Sequence, residues 1–203
     1  GDYFDIIELD NQRVLVAIGD VSGHGVGAGI LSAMAKSALY SQLESHRTIV
    51  EAMEILNKTI YAVTDKKTFM TFCLLLLDRG AGTAQFVSAG HPPVLYKTAD
   101  SQSIELLRTP NLGIGLVHST RFRQLEIPLQ ADSTFFLYTD GIFEATNRRG
   151  EEFGEARLQA FFRNSQTDST EILCRQAIET IRTFTEKTTM QDDTTLVAVR
   201  ILA

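Results

Sequence analysis

The chain has 203 residues, 44% of them hydrophobic and 22% charged, which is ordinary for a globular domain and enough to bury a core without a disulfide or metal staple. Its net charge of −6, with no basic run, argues against nucleic acid or an anionic membrane as main partner, and the longest apolar stretch, 72–77, is too short to span a bilayer. Cys73 and Cys174, the two cysteines, cannot form a disulfide scaffold and read as buried thiols of a reducing compartment.

Residues 3–9 and 13–18, joined by Asp10-Asn11, predict a β-hairpin. In its second strand Val14, Val16 and Ile18 face one way and Leu15 and Ala17 the other, so both faces should be buried. That strand is expected to end at Gly19-Asp20, followed by a flexible loop, Gly23-His24-Gly25. From Val26 the period becomes helical, with Val26, Ile30, Met34, Ala38 and Leu39 predicting a helix over 26–43. A second helix opens at Thr48 as N-cap with Glu51 three residues on, a capping-box pattern, and carries Ile49, Met53, Leu56, Ile60 and Val63 on one stripe.

Strands are then expected over 69–77, 83–88, 94–98, 103–107, 121–127 and 134–138. Turn chemistry separates the first four: Arg79-Gly80-Ala81-Gly82, Gly90-His91-Pro92-Pro93 and Ala99-Asp100-Ser101. Helices follow over 155–162 and 169–184, the latter with Ile172, Leu173, Ala177 and Ile181 as its stripe, and a strand over 194–201 closes the chain. Nothing repeats and no segment has linker composition. The economical packing is two sheets face to face with helices outside, in a single domain over 1–203. The chain has no starting Met and no signal-peptide pattern, so it reads as a piece of a longer protein.

Asp2, Asp20, Asp140 and the pair Asp192-Asp193 sit at strand ends or in adjacent loops, and three of these four places adjoin a glycine. If these carboxylates meet, two of them about 4 Å apart repel by ~4 kcal/mol at an effective dielectric of 20. No Lys or Arg stands beside the first three, so protonation or divalent cations would have to compensate. An oxygen-only donor set favours Mg²⁺ or Mn²⁺ over Zn²⁺. Two such ions, roughly 3.5–4 Å apart, could hold a bridging hydroxide for in-line attack on phosphorus. The competing reading is a set of ordinary turn aspartates, as Asp10, Asp78, Asp100 and Asp132 are read, and spacing alone leaves both open.

The heptad Gly19-Asp20-Val21-Ser22-Gly23-His24-Gly25 resembles the GDVSGHG signature of bacterial metal-dependent Ser/Thr phosphatases, the SpoIIE/RsbU-type branch of the PPM family. Gly1-Asp2-Tyr3-Phe4-Asp5 resembles the family's GGDYFD opening, and Ser88-Ala89-Gly90-His91-Pro92-Pro93 its SAGHNPP loop, one residue shorter here. Tyr138-Thr139-Asp140-Gly141 resembles its TDG motif, 147–154 its N-x-x-G-E-x-F-G segment, and Asp192-Asp193-Thr194-Thr195 its DDxT close. The six motifs stand in family order along nearly the whole chain.

The resemblance implies an α+β fold, the PPM-type α/β/β/α sandwich of two antiparallel sheets flanked by helices. It makes Asp20 the carboxylate bridging two Mn²⁺ or Mg²⁺ ions, joined by the backbone carbonyl of Val21. Asp2 would serve the second ion, and Asp140 and Asp192 the first. Asp193 and Gly141 would support the ligands from behind, Asp193 alternatively as a cap. His24 is a candidate general acid, an imidazole suiting protonation of a leaving serine oxygen, against a loop's need for a compact polar residue between two glycines. His91 reads as structural, and Arg148 and Arg149 as a solvated loop. The first two helices resemble a switch element presenting the metal site, with Gly27 and Gly29 giving the first its freedom. The implied activity is hydrolysis of phosphoserine or phosphothreonine on a protein, the branch's usual substrate being a phosphorylated STAS-domain anti-sigma-factor antagonist in a cytoplasmic partner-switching pathway. No nucleic acid and no membrane contact by this domain are expected. An upstream sensor or regulatory domain is expected, and a homodimer is compatible with the resemblance. The alternative is a pseudophosphatase that only binds a regulatory partner.

Overall fold

Asp10 makes the first reversal of the chain by accepting the N–H groups of Gln12 and Arg13 on one carboxylate oxygen, each at 2.9 Å. The turn closes the hairpin of β1 (Tyr3–Glu8) on β2 (Arg13–Val21). The structure, a computed structural model, describes residues 1–45, 48–65, 68–99, 103–186 and 192–202. The expected turn residues Asp100 and Ser101 lie outside these. Backbone contacts gather in two compact units, Gly1–His91 with Arg108–Leu129, and Pro92–Leu107 with Gln130–Ala203.

In the first unit β1, β2, β3 (Met70–Asp78), β4 (Thr83–Ala89) and a later strand form one antiparallel sheet in the order in which they are named. β2 is buried on both faces, Leu15, Val16, Ala17 and Ile18 being inaccessible, as the double apolar alternation requires. The strand does not stop at Gly19-Asp20 but runs on to Val21, because Asp20 and Val21 are held in register opposite Thr71 and Met70.

Helices α1 (Val26–Glu44) and α2 (Ile49–Val63) cover one face of this sheet. The α2 capping box forms as read: the Glu51 N–H donates to Thr48 Oγ1 at 3.2 Å, and the Thr48 N–H donates to the Glu51 carboxylate at 2.9 Å. On α1 the buried face is rotated from the expected stripe, keeping Leu39 and, in part, Met34 and Ala38. Ala28, Ser32, Ala35 and Leu39 point inward, while Val26 and Ile30 are exposed. Small residues let the first turns of the helix lie close to their neighbours, with Val26 and Ile30 left outside.

The later strand of this sheet, seventh in the chain, shows a second difference. A strand is expected over 121–127, yet the ladder begins only at Leu125 and runs Leu125–Pro128. Asn111 is the reason: its side chain accepts the N–H of Arg123 and donates to the Arg123 carbonyl, both at 2.9 Å. The backbone there is satisfied without a neighbouring strand, and Phe122 is buried all the same.

The second unit holds a four-stranded antiparallel sheet. In chain order its strands are Val94–Lys97, Glu105–Leu107, Thr134–Tyr138 and Leu196–Arg200; the first lies between the second and third, and the fourth flanks the third. Helices α3 (Glu155–Asn164) and α4 (Thr170–Phe184) pack on it around Phe136, Tyr138, Phe153, Leu158, Phe162, Leu173, Ala177 and Ile181. Ser169 caps α4 by accepting the Ile172 N–H, while Ile172 itself, expected on the buried stripe, is 44% exposed. Phe162 stacks on Phe136 with ring centroids 5.3 Å apart. Phe162→Ala is expected to destabilise the protein by ~3–5 kcal/mol, read as a lowered midpoint in urea unfolding at unchanged slope.

Among the described residues every pairing between the strands above is antiparallel and there are four α-helices, so the fold is α+β as expected. Cys73 is buried and unpaired, its thiol pushed up by burial alone, and Cys174 is half-buried and free. Among the described residues no helix is long and apolar enough to cross a membrane.

Candidate functional site

In the first unit the site residues come from two neighbouring strands. β1 pairs with β2 so that Tyr3, the residue after Asp2, stands opposite Gly19, the residue before Asp20. The approach leaves little room for a side chain at position 1. A Cβ on Gly1 would lie 2.7 Å from Asp20 Oδ1, 3.1 Å from the Val21 carbonyl oxygen and 3.2 Å from that of Gly23. Three oxygens therefore converge on the backbone that carries Asp2.

Beyond β2 the chain is pinned to β3. The Ser22 N–H donates to the Phe69 carbonyl at 2.9 Å, and the Phe69 N–H returns to Ser22 Oγ at 3.0 Å. Thr71, across from Asp20, shares a 3.0 Å hydrogen bond with Nδ1 of the buried His91. Ser88 Oγ donates to the His91 carbonyl. The Ser88–Pro93 loop thus braces the strand opposite Asp20, the structural role expected for His91. His24 is exposed and borders, with Val21, Ile30, Met34 and Val63, a groove of about 430 Å³.

In the second unit Asp140 follows the strand Thr134–Tyr138 and opens a 3₁₀ turn, Asp140–Ile142, its carbonyl accepting the N–H groups of Phe143 and Glu144 at 3.0 and 2.9 Å. The segment of Asp192 and Asp193 precedes the strand Leu196–Arg200. Thr139 ties the two together: its N–H donates to the Thr195 carbonyl at 3.1 Å, and its hydroxyl accepts the Thr195 N–H at 3.0 Å. The Asp193 carbonyl comes against Gly141 where any Cβ would stand. Asp192 accepts the Asp193 N–H at 2.8 Å, and its side chain is exposed.

Glu144 was not singled out in the sequence. Its carboxyl is pushed up by partial burial first, then by Asp140, Glu152 and Asp192. Negative charge accumulates here, which a cation would relieve. Only the position of Glu144 one turn after Asp140 hinted at this, and that depends on the 3₁₀ turn. Arg148 pairs with Glu186 at 3.1 Å on the surface, and Arg149 is exposed, in keeping with a solvated loop.

Among the described residues no three Asp, Glu, His or Cys side chains close up as a ready cation cage. What each unit supplies is oxygen only: Asp2, Asp20 and the Val21 carbonyl in one, Asp140 and Asp192 in the other. This donor chemistry, with its surplus of negative charge, fits a hard divalent cation.

A family model described as stage II sporulation protein E (SpoIIE) matches residues 10–202. The chain belongs to the SpoIIE family. Asp2 lies just before the matched stretch. The chain is 25% identical over 150 residues to the phosphoserine phosphatases RsbP and RsbU of Bacillus subtilis strain 168, covering 72% and 74% of its own length. It spans 37% of RsbP and 44% of RsbU. Among solved structures, the PP2C phosphatase domain with a fragment of the regulatory domain of SpoIIE from Bacillus subtilis superposes with a TM-score of 0.86 at 22% identity, covering 98% of this chain and 58% of that one. The RsbU and RsbW domains of Rv1364c from Mycobacterium tuberculosis give 0.81 at 30% identity, covering 100% and 57%. RsbX in complex with magnesium gives 0.71 at 14% identity, covering 97% and 85%. The SpoIIE-family chain therefore has the PP2C phosphatase fold.

Proposed function

We propose that this SpoIIE-family chain is a single Mn²⁺- or Mg²⁺-dependent phosphatase domain that hydrolyses phosphoserine or phosphothreonine on a protein. The observation that carries the reading is the convergence of Asp20 and the Val21 carbonyl on the segment bearing Asp2, within a family whose relatives include phosphoserine phosphatases. The donor chemistry and the magnesium bound by RsbX support the choice of ion.

In this reading Asp2, Asp20 and the Val21 carbonyl, together with Asp140 and Asp192, would hold the cations. Asp193 and Gly141 set the backbone that presents Asp140 and Asp192. When bound, the two ions would supply a water nucleophile at neutral pH and offset charge on the phosphoryl oxygens. The P–O bond to the serine oxygen breaks as water adds in line, leaving inorganic phosphate and a serine alkoxide that needs a proton. We assign that proton to His24, exposed on the loop three residues after Val21.

The substrate we propose is a phosphorylated STAS-domain antagonist in a cytoplasmic partner-switching pathway. A sensor or regulatory domain elsewhere in the full protein, and a homodimer, belong to the same reading. The names of RsbP and RsbU and the share of their length that this chain spans support it.

The test is hydrolysis of p-nitrophenyl phosphate and of a phosphoserine protein with Mn²⁺, with EDTA, and in His24→Ala. Turnover should require Mn²⁺ and vanish with EDTA. His24→Ala should slow the phosphoserine substrate by roughly 10²-fold while sparing p-nitrophenyl phosphate, whose leaving group needs no proton. Mn²⁺ binding without hydrolysis of either substrate would favour the partner-binding alternative.

A further inference from the structure

Helix α1 carries Ser32, Lys36 and Tyr40 at four-residue intervals, one above another on a single face. All three bond to the β1 segment. Ser32 Oγ donates to the Gly1 carbonyl at 2.9 Å. Lys36 Nζ lies 2.8 Å from Asp5 Oδ2, and the Tyr40 hydroxyl donates to the same oxygen at 3.1 Å. The Tyr3 hydroxyl adds a longer bond to it at 3.3 Å, and Lys36 Nζ stands 5.3 Å over the Tyr40 ring. Asp5 therefore gathers three donors on one oxygen of a side chain only 17% exposed. Burial works to raise its carboxyl, but the Lys36 and Tyr40 contacts outweigh it and hold the group below the usual range.

The two ends of this stripe bracket Asp2. Ser32 grips the residue before it. Tyr3, the residue after it, is fixed by stacking on Phe72 at 5.5 Å and by its bond to Asp5. The same helix begins five residues after Val21, so it is also the continuation of the segment bearing Asp20. α1 is thus joined to one proposed ligand strand by the chain and to the other by this polar stripe.

We propose that Asp5 is a positioning residue: by holding Lys36 and Tyr40 of α1 against β1, it fixes Asp2 relative to Asp20 and the Val21 carbonyl. The proposal rests on the metal-phosphatase reading above. A surface anchor without this role would change stability alone. A positioning role changes cation affinity, because groups behind metal ligands typically contribute about 10–100-fold to it.

The experiment measures Mn²⁺ binding directly, by titration calorimetry on the whole chain, in the parent, Asp5→Ala, Lys36→Met and Lys36→Arg, with kcat and KM for p-nitrophenyl phosphate beside it. Asp5→Ala should weaken Mn²⁺ about tenfold or more, leave KM for the phosphate ester unchanged, and recover kcat at saturating Mn²⁺. Lys36→Met should move in the same direction by less, and Lys36→Arg should restore most of the affinity. Lys36→Met decides the matter if Asp5→Ala does not fold. Parent-like Mn²⁺ affinity, within twofold, in the folded variants overturns the proposal and leaves the phosphatase reading standing. A parent that binds no Mn²⁺ overturns both.

Discussion

Asp20→Ala and Asp192→Ala are each expected to lower Mn²⁺-dependent hydrolysis at least about a thousandfold, ~4 kcal/mol of transition-state stabilisation, with the fold retained. The two residues belong to different units, so their pairing in one variant asks a further question. If both serve one reaction centre, the double variant should be scarcely slower than either single one, since groups acting as a unit are not additive. Losses that multiply would assign them to separate roles, and unchanged turnover in either single variant would remove that residue from the site. Stability offers an independent reading. Asp192 is exposed, and it is among the carboxylates that push Glu144 up. Taking it away relieves repulsion, so the metal-free Tm of Asp192→Ala should not fall, and should rise at low ionic strength. Added Mn²⁺ should raise the Tm of the parent and do so less for either variant.

Local chemistry made much of the fold legible. Thr48 and Glu51 announce the start of α2 because both halves of a capping box lie within four residues. Asp10 and Asp78 announce turns because each accepts backbone N–H groups two or three residues on. What failed was whatever a distant partner decides. The strand expected from 121 is shortened because Asn111, twelve residues before Arg123, takes its backbone groups. Val26 and Ile30 have helical spacing, yet the contact face of α1 is set by Ala28, Ser32 and Ala35. The proposed site divides in the same way. Asp2, Asp20, Asp140 and Asp192 stand out because motifs are contiguous. Asp5 lies in the same motif as Asp2, but its role was not legible, since its donors Lys36 and Tyr40 lie 31 and 35 residues away and only the packing of α1 on β1 brings them in. His91 sits within a legible motif, but its bond to Thr71, across from Asp20, required the register of β2 on β3.

Gly141→Ala is expected to cost activity far more than stability. An alanine Cβ there would collide with the Asp193 carbonyl oxygen, lie 3.2 Å from its carbon, and touch Thr194 Oγ1 at 3.4 Å. The obstacle is backbone, which cannot swing aside as the tip of a side chain can. The Thr139–Thr195 hydrogen bonds hold this stretch from the other side, so relief must come from displacing residues 192–194 or the turn at Asp140. Either movement shifts a proposed cation ligand, and misplacement of about 1 Å at a reaction centre can cost roughly 10²-fold in rate. Overpacking at a tight contact costs ~1–3 kcal/mol, which a domain of ordinary stability survives. The expected result is a folded protein with Tm lowered by a few degrees, kcat/KM for p-nitrophenyl phosphate reduced about a hundredfold, and weakened Mn²⁺ binding. Parent-like kinetics in a folded Gly141→Ala variant would show that the contact between Gly141 and Asp193 does not position the chemistry. A loss of activity matched by wholesale unfolding would make it an ordinary packing contact.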